Sequence, residues 1–316
     1  MTGVRWLITG GGGLLGRTIV RMAREASEAP ELVITSRQAS GDLFLDLGET
    51  ELVFPKGIDV VLHVAGEKRD ETRMEAINHL GTRRLVEAAA QSGVRRFVYV
   101  SSVGVYGAAP HSGVVTESFP HTPRNCYEAS KNAGELCVLE CCSRFGMEAV
   151  ILQPSTVIAF APDTSYPLLT LMKMIRRDNF VWFGRASPCV NYVAVEDVAA
   201  AVVKAADKAP SGQTFIVNTP ERLSEVVRWI SEELGVPMPR RRLPLWVGQA
   251  VAGLGSTVSR LAGRSMPINR ERLLELTNTT RYDGTALMKA TGFDYPLGIE
   301  AAIRQLAQHY VQEGLL

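Results

Sequence analysis

The sequence predicts an α/β fold: a doubly wound parallel sheet followed by a smaller, mostly helical C-terminal lobe. Three observations carry this. Short β-branched apolar runs alternate with longer helix-spaced patterns over the first two-thirds of the chain. A run of glycines falls at the first strand-to-helix junction, and after about Pro154 the alternation gives way to prolines and helical patterns.

The strand candidates are Val4–Thr9, Leu32–Thr35, Val60–Val64, Arg96–Ser101 and Ala149–Leu152, each ending where a loop begins. Between them, Leu14–Ala26, Glu71–Ser92 and Tyr127–Phe145 place apolar residues at helical spacing, as in Ile77, Leu80, Leu85 and Ala88–Ala89. We divide the chain into a sheet domain, residues 1–153, and a lobe, residues 154–316. The lobe shows helical stretches at Leu168–Arg177, from Glu196, and at Leu223–Leu234, Leu245–Leu261 and Ile299–Glu313. Strand-like segments near 189–217 (Cys189–Val195 and Thr214–Val217) are expected to return to the main sheet.

The composition, 46% hydrophobic and 21% charged, is that of a globular chain with a sizeable core. Basic and acidic residues number 34 and 33 and are spread along the sequence, so no global field exists to hold a nucleic acid. The five cysteines are odd in number and lack a C-x-x-C pair, which argues against a disulfide framework and a zinc site. Cys137 and Cys141 lie one helical turn apart without a His or acidic partner and read as small buried residues. The N-terminus reads as a strand and not a signal peptide, and no run approaches the roughly 18 apolar residues of a membrane span. A cytoplasmic protein that binds neither metal nor nucleic acid is expected.

Open parallel sheets bind ligands at the carboxyl ends of their strands, so the loops there hold the candidate site. The first is Thr9-Gly10-Gly11-Gly12-Gly13-Leu14-Leu15-Gly16. Gly10 permits a tight turn, Gly13 lets backbone amides approach a pyrophosphate, and Gly16 lets the helix pack closely. Leu14 and Leu15 open that helix, whose N-terminal N–H groups and dipole favour phosphate. The pattern is that of a Rossmann-type dinucleotide site. At the end of the second strand stands Thr35-Ser36-Arg37 in place of an acidic residue. Ser36 and Arg37 suit a 2′-phosphate, so NADP(H) is favoured and NAD(H) stays open; Arg37 as a solvated cation is the alternative. Asp46, followed by Leu47, is placed either to reach the adenine amino group or to close a turn.

Tyr127-Glu128-Ala129-Ser130-Lys131 sets a phenol and an ammonium one turn apart on one helix face, where the lysine can lower the phenol's pKa and bond the nicotinamide ribose. Ser102, just after the fourth strand, can bond the substrate oxygen while Tyr127 moves its proton.

With these residues in place, the chain resembles the extended short-chain dehydrogenases/reductases over nearly its whole length, in the branch of nucleotide-sugar epimerases, dehydratases and ketoreductases. The likeness extends to His63-Val64-Ala65-Gly66, Asn78 with Gly81-Thr82, Ser101 to Gly107, Pro154-Ser155-Thr156-Val157 and Tyr192 to Val198. Aligning on Val105-Tyr106-Gly107 makes Ser102 the catalytic hydroxyl. The resemblance further implies that Val64, Ala65 and Gly66 pass the cofactor and that Pro154 and Thr156 border the nicotinamide. Asn78 either contacts the site or pins its helix, and Asp197 either acts there or caps one. Gln153, where the family often has Arg, and Ile158-Ala159-Phe160-Ala161-Pro162 depart from the pattern beside the expected substrate pocket.

The family's dehydratases follow the catalytic hydroxyl with Asp-Glu; here Val103-Gly104 follows Ser102, which disfavours loss of water. A 4-epimerase acting on a nucleotide- or lipid-diphosphate sugar is favoured, on Glu67-Lys68-Arg69-Asp70 and the carboxyl-terminal region. The alternatives are an NADPH-dependent ketoreductase, to which Arg37 points, and a hydroxysteroid- or flavonoid-type enzyme in which Trp246–Leu261 either lines an apolar pocket or, more commonly, is core. A cofactor sensor without chemistry is disfavoured because Ser102, Tyr127 and Lys131 are all present. The family commonly forms homodimers through the helices here at Asn125–Phe145 and Glu71–Ser92, with Leu85, Leu136, Val138 and Leu139 as candidate contacts.

Overall fold

The computed structural model describes residues 3–36, 42–49, 52–107, 112–160, 167–184, 188–250, 273 and 276–316. Seven parallel strands form the main sheet in the order β11-β7-β5-β4-β1-β2-β3. These are β1 (Arg5–Thr9), β2 (Glu31–Ser36), β3 (Leu43–Phe44), β4 (Val60–His63), β5 (Arg96–Val100), β7 (Glu148–Pro154) and β11 (Gln213–Val217). The order reverses beside β1, the switch point where such sheets open a crevice.

Successive strand residues point to opposite faces, and both faces here are apolar. Trp6, Ile8, Val60 and Leu62 face α1 (Leu14–Glu25) and α6 (Val195–Lys208), while Leu7, Val61, Phe97 and Tyr99 face α3 (Thr82–Gln91) and α4 (Cys126–Phe145). Cys137 and Cys141 belong to this second face, as their reading as small buried residues requires, and Cys142 joins them there. Two-sided burial explains why the strands appear in sequence as unbroken apolar runs and not as alternation.

The single helix expected over Glu71–Ser92 is divided. After α2 (Glu71–Met74), the turns of Glu75–Gly81 widen to i→i+5 bonding before α3 begins. Gly81 lies there against Leu47, so close that a Cβ would come within 2.8 Å of the Leu47 side chain.

The lobe has its own core, in which α5 (Pro167–Arg176) and α7 (Leu223–Glu233) meet the C-terminal helix Ile299–Gln312 through Leu169, Met172, Val226, Ile230, Ile303 and Leu306. It carries small sheets that the sequence did not announce: β8 (Thr156–Ile158), β10 (Cys189–Ala194) and β12 (Thr219–Arg222) form one. β9 (Trp182–Phe183) pairs with β13 (Arg242–Leu243), and β14 (Thr279–Tyr282) pairs with β6 (Ser112–Val115), which the first 153 residues supply. Of the two segments expected to return to the main sheet, 213–217 does so on β7, whereas 189–194 pairs with β8 and β12 instead. Both are apolar and β-branched, and only pairing partners distinguish them. Residues 245–250 are helical; the remainder of the expected helix Leu245–Leu261 lies outside the described residues. Among the described residues no helix is long and apolar enough to cross a membrane.

Candidate active site

β1 runs into Gly10, whose φ of +70° is one that glycine adopts freely, and a Cβ there would lie 2.8 Å from the Ala65 Cα. Gly16, on the first turn of α1, packs on the loop so tightly that a Cβ would overlap the Gly10 carbonyl oxygen. Gly13 is the N-cap, and no side chain caps the helix. The first-turn amides of Leu14, Leu15 and Gly16 therefore open on the cavity that these residues line.

Opposite this loop, His63 fixes the segment Val64-Ala65-Gly66. The Thr9 hydroxyl accepts from the amides of Val64 and Ala65, both at 3.2 Å, so its one proton goes to His63 Nδ1 at 2.7 Å. His63 Nε2–H then donates to the Thr82 hydroxyl at 2.9 Å. Burial, with the Lys131 charge adding to it, pushes the imidazole down from 6.5 to about 3, which keeps it neutral. The unfolded chain takes up this proton near pH 6.5 and the folded protein only near 3, so stability is expected to fall as pH falls across that window, by up to about 5 kcal/mol. Urea unfolding as a function of pH tests this: His63→Gln should flatten the dependence, and equal slopes in the two proteins would assign it to other groups.

Asn78 joins the same scaffold. Its Oδ1 accepts from the Glu67 amide at 2.7 Å, and its Nδ2 donates to the Glu67 carbonyl at 2.7 Å and to Ser130 at 3.0 Å. Asn78 thus braces the Glu67–Asp70 turn against α4, the pinning alternative of the two. Asp197 ties α6 to the lobe, accepting from the amides of Leu297 and Gly298 at 2.8 and 3.1 Å, and so secures the entry to the last helix and not its own.

Ser102 follows β5 and caps a short 3₁₀ turn, accepting from the Gly104 amide at 3.1 Å. α4 begins under Asn125, whose side chain accepts from the Glu128 amide, and this sets Tyr127 on the first turn, lining the same cavity as Ser102. One turn on, Lys131 Nζ donates to the Val100 carbonyl at 2.7 Å and lies 4.1 Å above the Tyr99 ring. Burial pushes this lysine down to about 7, against the pull of Glu135. The Tyr127 phenol, which the spacing alone leads one to expect lowered by Lys131, is instead pushed up by burial, with the Ser102 hydroxyl opposing. The reason is geometric: the ammonium is aimed at Val100.

These residues and the glycine loop line one cavity of about 1040 Å³, above the usual range for a single small ligand. Gly10, Gly13, Leu14, Leu15, Gly16, Ser36, Asp46, Leu47, Val64, Ala65, Gly66, Ser102, Tyr127, Lys131 and Pro154 all reach it. Asp46 also closes its own turn, accepting from the Gly48 amide at 2.9 Å. Arg37 lies outside the described residues. Thr156 is a correction: it is exposed and off the cavity, because strand alternation turns Ser155 and Val157 inward. Gln153 is another. It lies fully buried behind α4, where Tyr106 donates to it at 2.6 Å and its amide donates to both Glu135 oxygens at 3.0 and 3.1 Å. Glu135 itself escaped sequence reasoning, although Tyr127, Lys131 and Glu135 stand at i, i+4 and i+8 on one helical stripe.

The sequence pattern of the NAD dependent epimerase/dehydratase family matches residues 6–218. UDP-glucose 4-epimerase of Vibrio cholerae is 24% identical over 97% of this chain and 95% of its own. Sterol demethylase protein B of Methylococcus capsulatus is 25% identical over 98% and 99%. Among solved structures, UDP-glucuronic acid 4-epimerase from Bacillus cereus in complex with NAD superposes with a TM-score of 0.71 at 16% identity, covering 98% of this chain and 99% of that one. Fold, site geometry and sequence agree: the chain belongs to the NAD-dependent epimerase/dehydratase family, enzymes of the extended short-chain dehydrogenase/reductase type.

Proposed function

We propose that the chain is a 4-epimerase that oxidises and re-reduces a secondary carbinol carbon of an activated sugar. The observation that supports this most directly is that Ser102, Tyr127 and Lys131 stand on the same cavity wall as an uncapped helix N-terminus. The glycine loop, with Leu14 and Leu15, holds the pyrophosphate of the dinucleotide, and Val64 to Gly66 and Pro154 flank it. The bound nicotinamide supplies reversible hydride exchange with the substrate carbon. Ser102 bonds the carbinol oxygen, Tyr127 takes its proton on oxidation and returns it on reduction, and Lys131 holds the ribose and the phenol in register. Dehydration is disfavoured, because Val103-Gly104 and no carboxylate follow Ser102. Glu128, the carboxylate nearest Gly104, is bonded by the Arg124 amide at 2.7 Å and does not line the cavity.

The test is to identify the nucleotide that co-purifies with the native protein and to incubate the protein with UDP-hexoses. A tightly retained nicotinamide dinucleotide and interconverted C4 epimers are the expected results; an empty, exchangeable site with net consumption of NADPH would make the protein a reductase. A second reading has support from Val157, Ala159, Pro167 and Val195, which give the far end of the cavity an apolar wall suited to a sterol-like alcohol.

Ser36 lines the cavity where a 2′-phosphate would sit, and with Arg37 next in sequence we assign the site a preference for NADP(H) over NAD(H). Arg37→Ala should weaken NADP(H) about tenfold or more and leave NAD(H) unchanged, as read by fluorescence titration. Equal affinities in the parent protein would refute the preference.

We further place a homodimer contact on the outer face of α4 and the turn before α3, where Leu136 is 59% and Leu80 42% exposed. Val138 and Leu85 face the sheet and are removed from the candidates. Leu136→Asp should convert a dimer to a monomer in size-exclusion chromatography with light scattering. The free cysteines agree with a cytoplasmic setting.

A further inference from the structure

The even charge balance of the chain conceals a local exception. Arg240-Arg241-Arg242-Leu243-Pro244-Leu245-Trp246 are seven consecutive residues, all exposed. Of the four tryptophans, Trp6, Trp182 and Trp229 are buried, whereas Trp246 is 68% exposed. From Arg240 to Arg272 the sequence holds seven arginines and one acidic residue, Glu271, in a chain whose net charge is only +1.

The exposure is not that of a loose loop. Arg242 and Leu243 form β13 on β9, the Trp182 amide donates to the Arg241 carbonyl at 2.9 Å, and the Gly184 amide donates to the Leu243 carbonyl at 2.9 Å. Arg241 pairs with Asp178 at 2.7 Å and Arg242 lies over the Trp182 ring, while Arg240 makes no ion pair among the described residues. A short paired strand thus holds Arg241 and Arg242 on the surface by contacts to Asp178, Gly184 and Trp182 and leaves Arg240 beside them, next to a contiguous apolar run that ends in an indole.

We propose that this run is a peripheral contact for an anionic lipid surface. The arginines bind phospholipid phosphates, and Leu243, Leu245 and Trp246 enter the interface between headgroups and acyl chains. Guanidinium groups bond phosphate in a fork, an indole combines an apolar ring with an N–H and so settles at the headgroup level, and surface potential draws basic segments inward. Scattered exposed leucines need no partner; contiguous ones rimmed by like charge do. A nucleic acid would use the arginines and leave the leucines in water. A second copy in an isologous contact would set arginines against arginines. The inference is independent of which carbinol the cavity accepts.

The test uses the full-length protein at low salt with vesicles of phosphatidylcholine alone or mixed with phosphatidylglycerol, read by co-sedimentation and tryptophan emission. Because the other three tryptophans are buried, a blue shift reports Trp246. Binding is expected to be about tenfold or more stronger on the anionic vesicles, to weaken with salt, and to be lost in Arg240→Glu/Trp246→Ser, whose thermal midpoint should match the parent's. Absence of binding, equal binding by the double variant, retention on DNA without any emission shift on vesicles, or dissociation of a dimer by the double variant would each overturn the proposal.

Discussion

Tyr127→Phe is expected to lower kcat by about 10³-fold, within the 10²–10⁴ range that a positioned proton donor contributes, while leaving the cofactor dissociation constant within about twofold of the parent's. The ring is half-buried and phenylalanine fills the same space, so α4 and the cavity wall stay in place; what disappears is the hydroxyl on the cavity that Ser102 also lines. Steady-state turnover together with a cofactor titration separates the two effects. Unchanged turnover would remove Tyr127 from the chemistry, and a large loss of cofactor binding would make its role structural.

Gly16→Val is expected to abolish cofactor binding, with a loss of about 100-fold or more, and to lower stability by about 1–3 kcal/mol. Its Cβ would run into the Gly10 carbonyl and stand 2.7 Å from the Gly11 Cα. Both obstacles are backbone, so no side chain can rotate aside. α1 has to lift off the loop, and its first-turn amides move with it. Gly13→Ala is the control. Its Cβ would meet only the Gly10 carbonyl, at 3.2 Å, so binding should weaken with little change in thermal midpoint. Thermal unfolding with and without NADP(H) and NAD(H) measures both variants. Near-parental binding by Gly16→Val would refute the phosphate-loop assignment.

Much of this site is legible in the chain because its parts are local. A glycine loop between a strand and a helix, Tyr127 and Lys131 one turn apart, and Ser102 at a strand end are each set by short-range geometry, and the parallel sheet places all three at one edge. What is not local was missed. Thr156 and Ser155 are neighbours in sequence, and only bonds to distant residues separate them: Ser155 is held inward by the Val217 carbonyl and the Asn218 side chain, while Thr156 starts the pairing of β8 with β10. Gln153 was expected beside the substrate, yet the packing of α4 on β7 seals it against Glu135.

By itself, then, the sequence determined the doubly wound sheet, the tight glycine turn into α1 and the convergence of Ser102, Tyr127 and Lys131 on one cavity, since strand and helix periodicity and backbone freedom at glycine are properties of nearest neighbours. The tertiary structure alone decided which strand joins which sheet, that His63 is held neutral, that Lys131 is turned to the Val100 carbonyl, and that Trp246 is left in water. Each of those depends on burial and on partners far away in the chain, and desolvation and pairing exist only once the fold has closed.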